Sequence, residues 1–361
     1  MLASTCSDRP CEPRLSCKPL VLELFGRDVM RLPRRDQYSV VEAATAYWRH
    51  HGFPYPHLSS KEIEREFQVV QRSNTTSLPV NVLPRGTAGL RLANFFHPQM
   101  WHAPSQWHRL SPVEFFNDDS RLREMLRRAP RFWPNRRCWN AQCVRSLFRI
   151  HSSGRVANFR PLVARTVIER FSPREGRILD FCAGYGGRLL GSLSLPRHYV
   201  GIDASMKQVT GSRKMCRALQ RLAPGSAELH QGCAEDLLPR IEADSFDLVF
   251  SSPPFFDLER YGSEGGQSWV RYSVYEDWKQ RFLGVVVREA YRILRPGGAF
   301  VVNIADRRRL PLRADLLALA APLFRHSKLI PMIMHARPMQ RALGIETFRT
   351  EPIFVFKKRS R

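Results

Sequence analysis

The C-terminal part of the chain is predicted to fold as a doubly wound α/β unit, a seven-stranded, mostly parallel sheet, behind an N-terminal mainly helical or irregular region. Three observations predict it. From Gly154 onward, short apolar runs alternate with helical patterns, as parallel strands joined by crossover helices require. The first run leads into a glycine-rich turn at Gly184, Gly186 and Gly187. The fourth ends at Pro253 and Pro254, which stop a strand by removing N–H donors and fixing φ.

The strands are expected at Arg177–Asp180, His198–Ile202, Ala227–His230, Phe246–Ser251, Ala299–Ile304, Lys328–Met334 and Pro352–Lys357. Phe246–Phe250 is apolar except for one acid and reads as a buried parallel strand. Ligands of such sheets bind outside the carboxyl ends of the strands. Asp180, Asp203, the 232–236 turn and Ser252 all fall at such ends, so one cleft can hold a cofactor and a target together.

Glycines let the backbone turn sharply and approach a ligand closely. The spacing of Gly184 and Gly186 is not that of a dinucleotide fingerprint, and phosphate is not required. Asp203 closes the second strand about twenty residues beyond, where an acid can accept hydrogen bonds from ribose hydroxyls. After the fourth strand, the turn can offer the Ser252 hydroxyl, the Pro253 carbonyl and the Phe255 ring together. Those groups suit a planar base carrying an exocyclic amine. Alone, a Pro-Pro turn is more often structural; its place behind the glycine motif changes that.

At these residues the sequence resembles the class I S-adenosylmethionine-dependent methyltransferases, and among them the enzymes that methylate amines of adenine or cytosine in DNA, with phage and bacterial DNA methylases nearest. Asp180, Gly184 and Gly186 match the family's Asp-x-x-x-Gly-x-Gly motif, with Cys182 inside it. Ser252-Pro253-Pro254-Phe255 matches its catalytic motif. Asn158-Phe159-Arg160-Pro161 looks like the segment set against the methionine end of the cofactor, and Leu294–Ile304 like the family's Pro-Gly-Gly turn into its fifth strand. The resemblance covers roughly Val156–Lys358. It implies S-adenosylmethionine as cofactor, Ser252, Pro253, Pro254 and Phe255 as catalytic residues, and an antiparallel last strand. It also implies cofactor contacts from Phe159, Arg160, Pro161, Asp180, Cys182, Gly184, Gly186 and Asp203. Where the family often has an acid after the third strand, this chain has Cys233, so Glu235 or Asp236 is assigned to the adenine instead. The plainer reading of those two acids is that they begin a helix, at the positive end of its dipole.

The 361 residues carry 57 lysines and arginines against 33 acids, for a formal net charge of +24. Such an excess favours a polyanionic partner. From Arg121 to Arg170 there are thirteen arginines against Glu124 and Glu169, interleaved with Phe132, Trp133, Trp139, Phe148 and Phe159. Arginines with stacking aromatics make a phosphate track with base contacts; a solvated helix face is the alternative for any single arginine. Nucleic acid, and double-stranded DNA in particular, is the expected partner, while nothing identifies a partner nuclease. The eight cysteines lack the paired spacing of a zinc ribbon or a disulfide framework, and no metal is assigned to them or to His50, His51 and His57. No apolar run reaches membrane-spanning length and no secretory core opens the chain. A cytoplasmic protein of a bacterium or phage is expected, with no membrane partner.

Three regions are expected: a basic, partly disordered start at 1–37, a helical and irregular candidate for DNA recognition at 38–150, and the methyltransferase domain at 151–361. Capping boxes at Ser39/Glu42 and Ser59/Glu62 announce helices over Ala43–His50 and Ile63–Gln71. Residues 73–120, with Asn94–His102 and Ser105–His108, show no strong periodicity and read as a packed bridge or as base-recognition groups. Beyond the catalytic turn, Tyr261–Ser268 resembles a mobile loop that closes over the target. Ser273/Glu276 is expected to cap a helix carrying Trp278 in the core, and His335–Arg349 to form a short insert.

A base amine delocalises its lone pair into the ring and is a poor nucleophile. Ser252 Oγ and the Pro253 carbonyl are expected to accept its two hydrogens and favour a pyramidal nitrogen, giving direct transfer without a covalent enzyme intermediate. Positioning can lower the barrier by roughly 7–11 kcal/mol at best, and a dipolar pocket stabilises charge developing on nitrogen. In duplex DNA the base must first flip out, at a cost of a few kcal/mol, offset by stacking on Phe255. Within the family, Ser before Pro-Pro leans towards cytosine. An RNA amine methyltransferase, a protein-glutamine methyltransferase and an inactive nucleic-acid-binding relative are the other readings; charge opposes the second and the intact motifs oppose the third.

Overall fold

The computed structural model describes residues 20–104, 110–151, 156–257, 260–306, 310–334 and 349–359. Most of 1–37, the Ser105–His108 motif and nearly all of the 335–349 insert lie outside them. Before the sheet come helices α1 (Gly26–Arg31), α2 (Arg34–His51), α3 (Ser60–Arg72), α4 (Leu90–Phe96), α5 (Pro112–Asn117), α6 (Asp119–Phe132) and α7 (Ala141–His151). The chain divides into one unit of residues 1–54 and 116–148 and a second of 55–115 and 149–361.

In the first unit α2 and α6 run antiparallel, as two ion pairs show: Arg49 to Asp119 at 2.5 Å and Arg123 to Glu42 at 2.6 Å. Amphipathic α6 buries Leu122, Met125, Leu126 and Ala129 at helical spacing. Trp139 locks the pair: its indole donates to the Leu126 carbonyl at 2.8 Å, and its own carbonyl accepts from Trp48 Nε1 at 3.2 Å. Trp139 and Phe148 are fully buried, so neither is a stacking aromatic for a nucleic acid. Their apolar area stabilises this small core instead. α1 sits so tightly on the end of α6 that a Cβ on Gly26 would lie 2.5 Å from the Pro130 carbonyl.

Helix α2 starts nine residues ahead of the expected Ala43, at Arg34 behind Pro33. A proline at the start of a helix sacrifices no hydrogen bond, and Ser39 lies within the helix, donating to the Arg35 carbonyl at 3.2 Å rather than capping. At α3 the expected capping box is present, with Ser59 N donating to Glu62 Oε2 at 2.9 Å and Glu62 N to Ser59 Oγ at 3.3 Å.

The second unit is built on strands β1 (Arg177–Asp180), β2 (His198–Asp203), β3 (Ser226–Gln231), β4 (Phe246–Ser251), β5 (Leu294–Asn303), β6 (Arg325–Met334) and β7 (Arg349–Lys357). Their order is β3-β2-β1-β4-β5-β7-β6. Among the described strands, β7 alone runs opposite to the other six. After α8 (Pro161–Phe171), the remaining helices are α9 (Gly187–Leu193), α10 (Met206–Leu219), α11 (Ala234–Leu237), α12 (Ser268–Arg271), α13 (Tyr275–Trp278), α14 (Gly284–Ile293) and α15 (Leu312–Ala320). Alternate strand residues feed opposite layers. Ile178, Leu248 and Val301 meet α8, α9 and α10, while Leu179, Val249 and Val302 meet α14 and α15.

Residues 55–115 belong to this unit, which moves the boundary expected at 150. Phe67 of α3 and Leu92 of α4, both fully buried, share one apolar cluster with Val163, Leu189 and Leu190. Those stripes have the sheet's helical layer to pack against. The cap expected from Ser273 and Glu276 does not form: Val274 takes the N-cap position, and Glu276 accepts from Lys279 at 2.6 Å and Gln280 at 2.8 Å. Trp278 is fully buried, as expected.

Candidate active site

Strands β1 and β4 are neighbours, although β2 and β3 intervene in sequence. That reversal of order is where open α/β sheets leave a crevice at their carboxyl ends. Ser251, the last residue of β4, joins the two motifs: its hydroxyl donates to Asp180 Oδ1 at 2.7 Å and accepts from Cys182 N at 3.1 Å. The glycine turn and the Pro-Pro turn are thereby held side by side.

Asp180 is fully buried and does not face the crevice. Its Oδ2 accepts from Arg188 Nε and from the Tyr199 hydroxyl, each at 2.7 Å. An ionised carboxylate needs such donors out of water. Arg188 also donates to the Cys182 carbonyl, which leaves Cys182, half-buried, pinned through its backbone. Asp180 therefore differs from the cofactor contact expected of it: it orders the turn from beneath.

Within the turn the glycines serve different ends. Gly184 and Gly186 have left-handed φ of 60° and 73°. A Cβ on Gly184 would meet nothing nearer than the Cys182 carbonyl at 3.8 Å, so this position opens to the crevice. Gly186 is needed for packing, since a Cβ there would lie 2.7 Å from the His97 ring, and on Gly187 it would lie 1.9 Å from the Phe159 carbonyl. His97 is fully buried between the Ala93 carbonyl at 2.9 Å and Ser212 Oγ at 3.1 Å, and burial lowers its pKa to about 4. Asn158 Oδ1 accepts from Gly187 N at 3.2 Å, and its amide donates to Asn94 Oδ1 and the Tyr185 carbonyl. Asn94 and His97 thus buttress the turn from a segment whose sequence read equally as a packed bridge or as base-recognition groups. Their lack of periodicity hid them; the only signal was two polar groups in an apolar stretch.

Asp203 Oδ2 accepts from Gly184 N at 2.7 Å and Oδ1 from Ser205 N at 2.9 Å. Desolvation raises its pKa to about 6, against the opposing pull of those two amides. Beside it, Ser205 Oγ donates to Glu264 Oε1 at 3.5 Å, and Glu264 Oε2 is buried with no donor among the described residues. Gly266 rests on Ala204 and Cys233, where a Cβ would come within 3.1 Å of both side chains. The glycine-rich segment therefore lies over the ends of β2 and β3.

Glu235 and Asp236 stand in the first turn of α11 and are taken by that segment. Arg271 reaches Glu235 at 3.1 Å and Asp236 at 2.6 Å, and the Tyr272 hydroxyl donates to Glu235 at 2.6 Å. Their carboxylates anchor α12. Phe159 meets Phe250 edge-on at 5.5 Å, and Pro161 opens α8. Arg160 is 7% exposed and donates to the Ile333 carbonyl at 2.8 Å, with Nη1 buried and unpartnered among the described residues.

The Pro-Pro turn leaves Ser252 and Pro254 half-buried and Pro253 buried. Ser252 Oγ donates to Asn303 Oδ1 at 3.3 Å, and the Asn303 amide donates to the Pro352 carbonyl at 3.1 Å. Asn303, 2% exposed at the end of β5, was not foreseen, because nothing in sequence spacing brings β5 and β7 to the catalytic turn. The expectation that the Phe255 ring faces the cleft is not met. It is 4% exposed and packs in the apolar layer shared with Trp278 and Val302. Phe256 has a left-handed φ of 60°, a conformation that costs a non-glycine residue roughly 1–2 kcal/mol. Its ring contacts Tyr275 and Trp278, and its carbonyl accepts from Ser268 Oγ at 3.0 Å.

The reversed strand β7 between β5 and β6, on a sheet whose first turn is glycine-rich and whose second strand ends in Asp203, makes the class plain. The chain has the strand order and strand reversal of the class I S-adenosylmethionine-dependent methyltransferase fold, the fold for which its motifs implied S-adenosylmethionine as cofactor. The residues fit that group: Gly184 leaves room, and Asp203 and the orphaned Glu264 oxygen are acceptors suited to hydroxyl donors. No protein-family model matches the chain. It is 40% identical over 77 residues to the Type II methyltransferase M.BglI of Bacillus subtilis, covering 21% of this chain and 20% of that protein. Over 82 residues it is 28% identical to the Type II beta methyltransferase M.BslI of Bacillus sp. strain NEB-606, 23% of this chain and 8% of the relative. The matched stretches thus span a fifth or less of either relative. Among solved structures it is similar to TrmN from Thermus thermophilus, with a TM-score of 0.40 and 16% identity, covering 56% of this chain and 50% of that one. No helix among the described residues is long and apolar enough to cross a membrane.

Proposed function

We propose that the chain transfers a methyl group from S-adenosylmethionine to the exocyclic amine of a base in double-stranded DNA, with cytosine favoured over adenine. The observation that carries this is the direction of the Ser252 hydrogen bond. Pro352 orients the Asn303 amide so that its oxygen accepts the Ser252 proton, which leaves the lone pairs of Ser252 Oγ as acceptors. An amine hydrogen is a donor suited to them. With the Pro253 carbonyl accepting the second hydrogen, the nitrogen lone pair is drawn out of conjugation and aimed across the crevice, and the proton that nitrogen must lose once methylated would pass to solvent. Positioning of this kind lowers barriers by roughly 7–11 kcal/mol at best.

The cofactor, when bound, supplies an electrophilic methyl group on a sulfonium centre. Asp203 and Glu264 would accept from its ribose hydroxyls, Gly184 would give the backbone clearance, and Phe159 and Arg160 would hold the methionine end. Ser251 and Asp180 keep this half of the crevice in register with Ser252. A flipped base enters at a cost of a few kcal/mol; with Phe255 buried, stacking on that ring is not part of the proposal. DNA is favoured by the resemblance of the motifs, the relatives' identity as Type II methyltransferases and the net charge of +24.

Duplex DNA treated with enzyme and cofactor, then digested to nucleosides and weighed, is expected to yield N4-methylcytosine. Ser252→Ala should lower the turnover number by about 100-fold, as when one preorganised hydrogen-bonding group is lost from a polar active site, with cofactor affinity unchanged. An unchanged rate would remove the catalytic turn from the mechanism, and label only in a ribonucleoside when RNA competes would overturn the DNA assignment.

A further inference from the structure

We infer that the end of the first unit where α1 and the start of α2 meet the end of α6 is a docking surface for the phosphate backbone of duplex DNA. This rests on the nucleic-acid reading above. The thirteen arginines that stand out in the sequence do not form one surface. Arg165 donates to the Ser194 carbonyl, Arg170 to the carbonyls of Leu78, Val80 and Val82, and Arg145 to that of Pro54. Those guanidinium groups serve the backbone.

A different set is assembled in space. At one end of the antiparallel pair of α2 and α6, arginines are balanced by Asp119 and Glu42. Towards the other end Asp28, taken by Arg27, and Asp36 are outnumbered by arginines. Arg127 and Arg131 continue the α6 stripe from Arg123 at i+4 and i+8, opposite the start of α2, which carries Arg34 and Arg35. Helix α1, held by Gly26 N donating to the Arg136 carbonyl at 3.0 Å and Arg27 N to that of Pro134 at 2.8 Å, adds Arg31 to the same end. Arg31, Arg34, Arg35, Arg127, Arg131 and Arg136 are all exposed, and none has an ion-pair partner among the described residues.

Like charges gathered at one end of a small bundle repel one another, so the arrangement calls for a counter-charge from outside. Arginine's planar fork matches phosphate oxygens in pairs. Tyr38, 66% exposed one turn from Arg34, and Phe132, 44% exposed next to Arg131, add flat apolar area at the edges of the basic face. A folded unit with six exposed arginines gathered towards one end, rather than a cationic tail, matches a regular polyanion such as a duplex.

The test is the salt dependence of duplex binding by the full chain. The triple variant Arg31→Gln, Arg35→Gln, Arg131→Gln is compared with Lys214→Gln, Arg217→Gln, Arg221→Gln, which removes the same charge from exposed positions of and beside α10. Between roughly 50 and 200 mM salt, the first triple should lower the slope of log affinity against log salt by about 2–3, at close to 0.9 per phosphate contact. The second should leave it within about one unit of wild type. Equal slopes for the two triples overturn the surface, as does a wild-type chain that does not bind duplex or that binds single-stranded RNA with the larger loss. Cofactor affinity and melting temperature should match wild type; if the first triple melts early, Arg131→Gln alone decides, with an expected drop of about one. A slope that falls while no methylated nucleoside forms keeps this surface and removes the reaction; a slope that stays while DNA is methylated does the opposite.

Discussion

Asp203 shows how one residue couples burial to ligand affinity. Desolvation lifts its folded pKa from the usual 3.8 to about 6, so the folded state binds the proton more tightly than the unfolded chain does. Its contribution to stability is therefore full below about pH 3.8 and is lost as pH rises through about 6. Affinity for the cofactor should run the other way, because only the carboxylate accepts strongly from two hydroxyls. Titration calorimetry is expected to show S-adenosylmethionine binding that strengthens between pH 5 and pH 7 in the wild type and is weaker and flat in Asp203→Asn; a pH-independent wild type would remove Asp203 from the cofactor contact. That Asp203, Gly184 and Ser252 lie at strand ends was legible, because strand ends are readable from apolar runs. Asp180 was legible as a motif residue but not in its role, since a buried carboxylate and a ligand-facing one look alike until Arg188 and Tyr199 are seen on it.

At the scale of elements, the glycine turn separates packing from binding. Gly187 has no unusual φ, yet a methyl there would collide with the Phe159 carbonyl, whereas Gly184 is strained for any other residue but faces open space. Gly187→Ala should destabilise the fold by about 1–3 kcal/mol through overpacking while leaving cofactor affinity largely intact once folded. Gly184→Ala should cost about 1–2 kcal/mol of backbone strain and weaken cofactor binding more than stability. Urea unfolding paired with calorimetry distinguishes the two, and identical effects would sink the distinction. The strands were expected within a few residues, save the earlier starts of β5, β6 and β7, where ladder hydrogen bonds extend pairing beyond the apolar run. Helix starts were less readable. Ser39 and Ser273 share the spacing of Ser59, but Pro33 takes over the first start and Val274 the second.

For the whole molecule, the division into units changes which truncation is informative. Removing residues 1–120 takes away α3, α4 and His97 together with most of the first unit, and uncovers Val163, Leu189 and Leu190. Such a protein is expected to lose its cooperative melting transition rather than only its choice of DNA site; a sharp transition near the wild-type temperature would show that α3 and α4 are dispensable to the sheet.

The alternation of apolar runs, the glycine turn and the Pro-Pro turn by themselves determined the sheet and brought the motif residues to the carboxyl ends of its strands, because those patterns follow from local backbone geometry. Only tertiary structure decided that Asn303 orients Ser252, that Arg271 occupies Glu235 and Asp236, and that the unpaired arginines gather at one end of the first unit. Each of these depends on which distant segments become neighbours, and side-chain pairing across tens of residues leaves no period in a sequence.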